Sequence, residues 1–182
     1  MTRILGLSGS LRKASYNAGL LRAARTLHPD HIEIGSIADL PLYNADVEAA
    51  GFPAAVEALK QRLARADGLL LVTPEYNNSL PGVTKNAIDW LSRPSGDIAN
   101  VFRDKPVAII GASPGGFGTI LSQSAWLPVF RTLRAQLWTS GRLMVSGAKQ
   151  VFDEESNLAD PDIRRRLDEF VGGFIAYCKK NG

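Results

Sequence analysis

The sequence has one cysteine, Cys178, and two histidines, His28 and His31, in 182 residues. A lone cysteine excludes an internal disulfide and fits a reducing compartment. The two histidines bracket one helix-to-strand turn, which suits a structural role and not acid–base chemistry. No window holds the roughly 20 apolar residues that a membrane helix needs. The opening "MTRILGLSGS" lacks a long apolar stretch with a small-residue cleavage site, so no signal peptide and a cytoplasmic location are expected. Net charge is only +3, and the longest basic run is Arg164–Arg165–Arg166. Nucleic acid is therefore not an expected partner, although a small anionic ligand fits. Two signatures are also missing. No Gly-Lys-Ser/Thr closes a triphosphate loop, and Gly6 and Gly9 do not make G-x-G-x-x-G. No metal site is expected.

What is present is a soluble, core-forming composition, with 45% hydrophobic and 21% charged residues. Short apolar runs alternate with amphipathic segments. Strands are expected over 3–8, 31–37, 68–73, 106–113 and 136–146. "GLLLVT" at 68–73 is apolar throughout, as for a strand covered on both faces. Helices are expected over 17–27, 52–67, 81–93 and 119–135, the last kinked or split at Pro128, which lacks an N–H. A final helix over 160–180 has Asp160 as N-cap, Pro161 at its first position and a stripe of Ile163, Leu167, Phe170, Val171, Phe174 and Cys178. Cys178 thus reads as core. Stretches 38–51 and 94–104 read as excursions. The alternation, five times over, implies one domain spanning 1–182. Its fold class is α/β, a doubly wound five-stranded parallel sheet with helices on both faces.

In such sheets ligands bind beyond the carboxyl ends of the strands, where strand order reverses. Three loops leave those ends. "GSLRKASYN" (9–17) offers the Ser10 and Ser15 hydroxyls, the Asn17 amide, the Arg12 guanidinium and a helix N-terminus. These can cradle an anion, or they can be a capped turn with Ser15 as N-cap and Arg12 in solvent. "PEYNNSLPG" (74–82) is stiffened by Pro74 and Pro81. Its Tyr76 offers a flat face to a ring or covers core, and its amides can meet a ring's polar edge. "SPGGFG" (113–118) allows close backbone approach at Gly115, Gly116 and Gly118, or is a flexible turn. A monophosphate cradle beside two ring-contacting edges argues for a phosphorylated aromatic cofactor, and FMN is the natural candidate.

The stretches "GSLRKASYN", "TPEYNNSLPGVTKNAIDW" and "KPVAIIGASPGGFG", in this order, resemble the NADPH-dependent FMN reductase family, in particular its quinone and chromate reductases. The resemblance covers about residues 3–135, with Trp126 and Pro128 as departures. It implies a flavodoxin-like fold. It also implies that Ser10, Arg12, Ser15 and Asn17 hold the FMN phosphate. Pro74, Glu75, Tyr76 and Asn77 would line the flavin ring, while Ser113, Gly115 and Gly116 would close its other side. FMN would carry the chemistry with no catalytic side chain, and NADPH or NADH would be co-substrate. Quinones, chromate, nitroaromatics, azo dyes or free flavin would accept electrons in a ping-pong cycle. A homodimer or homotetramer is implied, with FMN near a subunit interface. The competing readings are a non-enzymatic flavodoxin-type electron carrier or FMN-binding module, and a nucleotide-independent α/β hydrolase or regulatory binding module on the same architecture. The mildly basic balance argues against the carrier, which would present an acidic face.

Overall fold

A computed structural model describes residues 1–181. Five parallel strands, β1 (Ile4–Ser8), β2 (Ile32–Gly35), β3 (Gly68–Val72), β4 (Pro106–Ala112) and β5 (Gln136–Leu137), lie in the order β2-β1-β3-β4-β5. A sixth, β6 (Met144–Val145), also pairs with β4. Alternation across the pleat explains the apolar runs. Leu69 and Leu71 enter one core, while Leu70 and Val72 enter the other. One layer holds α1 (Tyr16–Leu27) and α8 (Pro161–Asn181), whose Leu20, Ala24, Phe170 and Phe174 pack on the sheet. The opposite layer holds α3 (Ala54–Arg65), α4 (Gly82–Leu91) and α6 (Ile120–Thr132), through Leu63, Ile88, Trp126 and Phe130. This is the doubly wound sheet read from the sequence.

Two expectations are corrected. The fifth strand does not run through 136–146; it breaks into β5 and β6, each two residues long. Trp138 still donates its N–H to Val107 O at 2.8 Å, and contact with β4 resumes only at Leu143, whose carbonyl accepts the Gly111 N–H. Between them the chain loops out, and the Trp138 ring packs on Phe170 and Phe174 of α8, with centroids 4.8 and 5.6 Å away. Gly141 permits the return, because a Cβ there would stand 2.5 Å from the indole. Nor does Pro128 split its helix; α6 is continuous across it. Trp126 and Phe130 are fully buried on either side and hold both halves against the sheet, offsetting the lost hydrogen bond.

The excursions carry short elements: α2 (Ala45–Ala50) in the first, a 3-10 turn (Ser95–Asp97) and α5 (Ile98–Val101) in the second. A last short helix, α7 (Ala148–Val151), follows β6. Both histidines are structural. His28 Nε2 stands 2.9 Å from the Asp168 carboxylate on α8, and His31 Nδ1 lies 2.8 Å from the Thr2 carbonyl. Cys178 is buried over Gly68, where a Cβ would meet its Sγ at 2.7 Å. No helix among the described residues is long and apolar enough to cross a membrane.

Candidate functional site

Strand order reverses between β1 and β3, since β1 runs on to β2 on one side and lies beside β3 on the other. The crevice at their carboxyl ends is the place this topology provides for a ligand. Gly9 closes its floor. The Gly9 N–H donates to Val72 O at 2.8 Å, and Thr84 Oγ1 donates to Gly9 O at 3.1 Å. A Cβ at Gly9 would stand 2.6 Å from Thr84 Oγ1 and 2.8 Å from Pro74, so only glycine lets these loops meet.

Ser15 is the N-cap of α1, and its hydroxyl accepts the Ala18 N–H at 3.2 Å. The same hydroxyl keeps its own proton for a ligand, so capping and anion binding are compatible. No acidic residue lies in the first turn of α1 to neutralise its positive end. Ser10 Oγ accepts from the Arg12 N–H at 3.4 Å and from Tyr76 Oη at 3.3 Å, which leaves its proton free as well. The Arg12 guanidinium lies over the Tyr16 ring, 5.2 Å from its centroid. It has no carboxylate partner among the described residues.

Asn17 is 4% exposed, and its side chain is engaged differently from the rest. Nδ2 donates to Ala112 O at 2.9 Å, and Oδ1 accepts the Ala112 N–H at 2.9 Å. The amide clamps α1 to the tip of β4 and has one N–H left over.

The second loop is fastened to α6. Glu75 Oε2 accepts the N–H groups of Leu121 at 2.9 Å and Ser122 at 3.1 Å, capping the helix from 46 residues upstream. Thr73 Oγ1 donates to Pro74 O, stands 2.9 Å from Ser122 Oγ and accepts from Trp126 Nε1 at 3.2 Å. The Glu75 carboxylate therefore faces the helix end, not the solvent. Beyond it, Tyr76 and Ser79 exchange backbone hydrogen bonds around Asn77 and Asn78, both at positive φ. That is a tight turn which asparagine tolerates well. Tyr76 is 48% exposed, so it covers no core.

In the third loop Ser113 Oγ donates to Gly118 O at 2.5 Å. The loop rests on the segment after β6, through Gly147 N–H to Gly115 O and Ala148 N–H to Ser113 O. A Cβ on Gly116 would meet nothing within 4 Å, and one on Gly115 only Ser113 Oγ at 3.8 Å. These two glycines leave open space where a flat ligand can lie against backbone.

A cleft of about 300 Å³ joins these parts. Ser10, Arg12, Ser15 and Asn17 line it from the first loop, Pro74, Glu75 and Tyr76 from the second, and Ser113 from the third. Asn77, Gly115 and Gly116 lie outside this lining, on the adjoining loops. Four lining residues are not among the site residues read from the sequence: Tyr16, Ala112, Pro114 and Lys149, of which Ala112 and Pro114 flank the predicted Ser113. Tyr16 opens the helix that Ser15 caps and could have been read from that position. Lys149 stands in "SGAKQV", which carries no spacing signal. The cleft offers hydroxyls, a helix N-terminus and cations for an oxyanion, and a tyrosine and bare backbone for an aromatic ring. No cluster of metal-ligating side chains occurs among the described residues. The Cys178 thiol lies in the core, away from the cleft.

Residues 2–150 match the family model described as NADPH-dependent FMN reductase. The chain is 43% identical over 169 residues to an NAD(P)H-dependent FMN reductase of Pseudomonas aeruginosa, covering 92% of this chain and 90% of that protein. It is 40% identical over 182 residues to a 2-hydroxy-1,4-benzoquinone reductase of a Burkholderia species, covering 97% of this chain and 96% of that protein. Among solved structures, FerB of Paracoccus denitrificans, a flavoenzyme NAD(P)H:(acceptor) oxidoreductase, aligns over 100% of both chains with a TM-score of 0.89 at 33% identity.

Proposed function

The chain belongs to the NADPH-dependent FMN reductase family, and from that premise we propose that the cleft between β1 and β3 holds FMN for an NAD(P)H-dependent reduction of quinones or similar acceptors. The observation that carries this reading is the convergence of free Ser10 and Ser15 protons, the Arg12 guanidinium and the end of α1 on one side of Tyr76. Ser10, Arg12 and Ser15 bind the phosphate. Asn17 adds its remaining N–H and sets the spacing between α1 and β4. Pro74, Glu75, Tyr76 and Asn77 shape the ring side, and Ser113, Gly115 and Gly116 bound the opposite side.

When bound, FMN supplies the hydride and electron chemistry. The protein's residues bind, orient and exclude water. Glu75 is assigned no proton transfer in this reading; its Oε2 holds the N-terminus of α6 through two backbone amides. With one cleft to share, NAD(P)H and the acceptor enter in turn, and the kinetics are ping-pong.

Residues 1–182 act as one FMN-binding domain. We infer a homodimer or homotetramer from exposed apolar side chains on the third loop and on α4 and α6: Phe117, 85% exposed, with Val83, Ile120, Leu121 and Leu127. We infer a cytoplasmic site of action; a single cysteine, which cannot form an internal disulfide, supports it.

The test is direct. Purified apo protein given FMN should acquire a bound-flavin spectrum and oxidise NAD(P)H with a quinone unaided. Arg12→Ala should weaken FMN binding by about 1.5–3 kcal/mol, the usual worth of a charge-assisted hydrogen bond. Riboflavin, without the phosphate, should bind both proteins alike. A protein that gains no flavin spectrum is the binding module instead. One that takes up FMN but turns over no quinone without a redox partner is the electron carrier.

A further inference from the structure

Lys149 shares the cleft with Arg12, although 137 residues separate them in sequence. It lies on α7, whose first residue, Ala148, donates to Ser113 O at 3.0 Å. That bond sets α7 beside the third loop. The other end of α7 is held from the first loop's side. Phe152 packs on Tyr16 with ring centroids 5.3 Å apart, and Tyr16 carries the Arg12 guanidinium on its ring. A continuous stack, Arg12–Tyr16–Phe152, thus ties the start of α1 to the segment that bears Lys149.

Neither cation has a carboxylate partner among the described residues. The one carboxylate lining the cleft, Glu75, is turned to the N-terminus of α6. Two cations without carboxylate partners among the described residues, carried by different segments lining one cleft, suit a ligand carrying about two negative charges. A phosphate monoester near neutral pH has that charge.

We propose that Lys149, on α7, is a second phosphate-binding residue of this cleft, recognising a phosphate monoester. FMN's own phosphate is one source of that group. The 2′-phosphate of NADPH is the other. The inference rests on the assignment of Ser10, Arg12 and Ser15 to phosphate made above.

The experiment compares wild type, Lys149→Gln, Lys149→Arg and Arg12→Ala. Dissociation constants for FMN and riboflavin are read on apo protein by flavin fluorescence, at low and high salt. KM values for NADPH and NADH are read on flavin-loaded protein. Lys149→Gln should weaken FMN about two- to fivefold at low salt, less at high salt, as for a solvent-exposed ion pair. Riboflavin binding should not change, and Lys149→Arg should restore FMN. If FMN is unaffected but the KM for NADPH rises while that for NADH does not, Lys149 binds the nicotinamide cofactor's phosphate. Equal losses for FMN and riboflavin would make its role structural and overturn the proposal. So would no change in any constant while Arg12→Ala still weakens FMN. If Arg12→Ala also binds FMN normally, the phosphate assignment itself fails.

Discussion

The Glu75 carboxylate accepts the backbone N–H of Leu121 at 2.9 Å, so the loop after β3 supplies the cap that α6 lacks in its own sequence. Thr119, the residue before α6, makes no side-chain capping bond. The charge also complements the helix dipole. Glu75→Ala should therefore destabilise the apo protein by about 1–2 kcal/mol, in the range of a lost helix cap. Glu75→Gln should recover part of that, since an amide oxygen still accepts but carries no charge. Urea unfolding of the flavin-free proteins checks this. An unchanged midpoint for Glu75→Ala would mean that the cap contributes nothing.

Asn17 and Ala112 exchange two hydrogen bonds in a buried setting. Asn17→Ala would leave the Ala112 N–H and C=O without partners, at about 1–3 kcal/mol for each buried group. Apo stability should fall by at least 2 kcal/mol on that scale, whether or not FMN binding also suffers. Asn17→Asp should rescue little, because a carboxylate cannot donate to the Ala112 carbonyl. A stable Asn17→Ala apo protein with impaired FMN binding would assign the amide to the ligand alone.

Tyr76 stands half exposed, with its hydroxyl 3.3 Å from Ser10 Oγ. Tyr76→Ala should leave the apo melting temperature nearly unchanged, within the roughly 0.5 kcal/mol usual for surface positions. It should change the fluorescence of bound flavin and the rate of quinone turnover. A large loss of apo stability with unaltered flavin properties would reverse this assignment.

Cys178 is sealed between α8 and Gly68, and burial pushes its thiol from the ordinary value of 9.0 up to about 12. Thiol reagents at pH 8 should fail to label the native protein and should label it fully in denaturant. A raised pKa means that the folded state keeps its proton longer than the unfolded state does. Its contribution is complete below about pH 9 and is lost as pH climbs toward 12. Lys105 acts in the opposite sense. Burial lowers its pKa below 10.5, so the penalty for burying its charge is relieved as pH rises. Cys178→Ala should therefore flatten the alkaline fall in stability. A slope identical to wild type would refute the assignment.

The sheet was readable because its evidence is local. "GLLLV" is apolar on both faces, and Ser15 followed by Tyr16 opens a helix whose stripe repeats within one turn. The three loops were readable for the same reason, since strand ends and turn residues mark them. What stayed hidden depends on contacts between distant positions. Nothing near Glu75 shows that α6 needs an acceptor, and nothing near Asn17 points to Ala112, 95 residues on. In 136–146 the turn residues Ser140 and Gly141 mark the break, but that pairing with β4 lapses from Trp138 to Leu143 depends on contacts made across the fold, among them the seat of the Trp138 ring on Phe170 and Phe174. Lys149 enters the cleft because the bonds from 147 and 148 to the third loop carry it there.

The most direct test of the central claim is the kinetic order of the FMN-loaded protein. The reduction assigned to this chain uses one cleft for both substrates, so NAD(P)H must leave before the quinone enters. Initial rates against NADPH at several fixed quinone concentrations should give parallel double-reciprocal lines, the ping-pong pattern. Protein reduced anaerobically with NADPH and freed of nucleotide should remain reduced until quinone is added, and then reoxidise. Intersecting lines, showing both substrates bound together, would contradict a shared cleft and require a separate nicotinamide site.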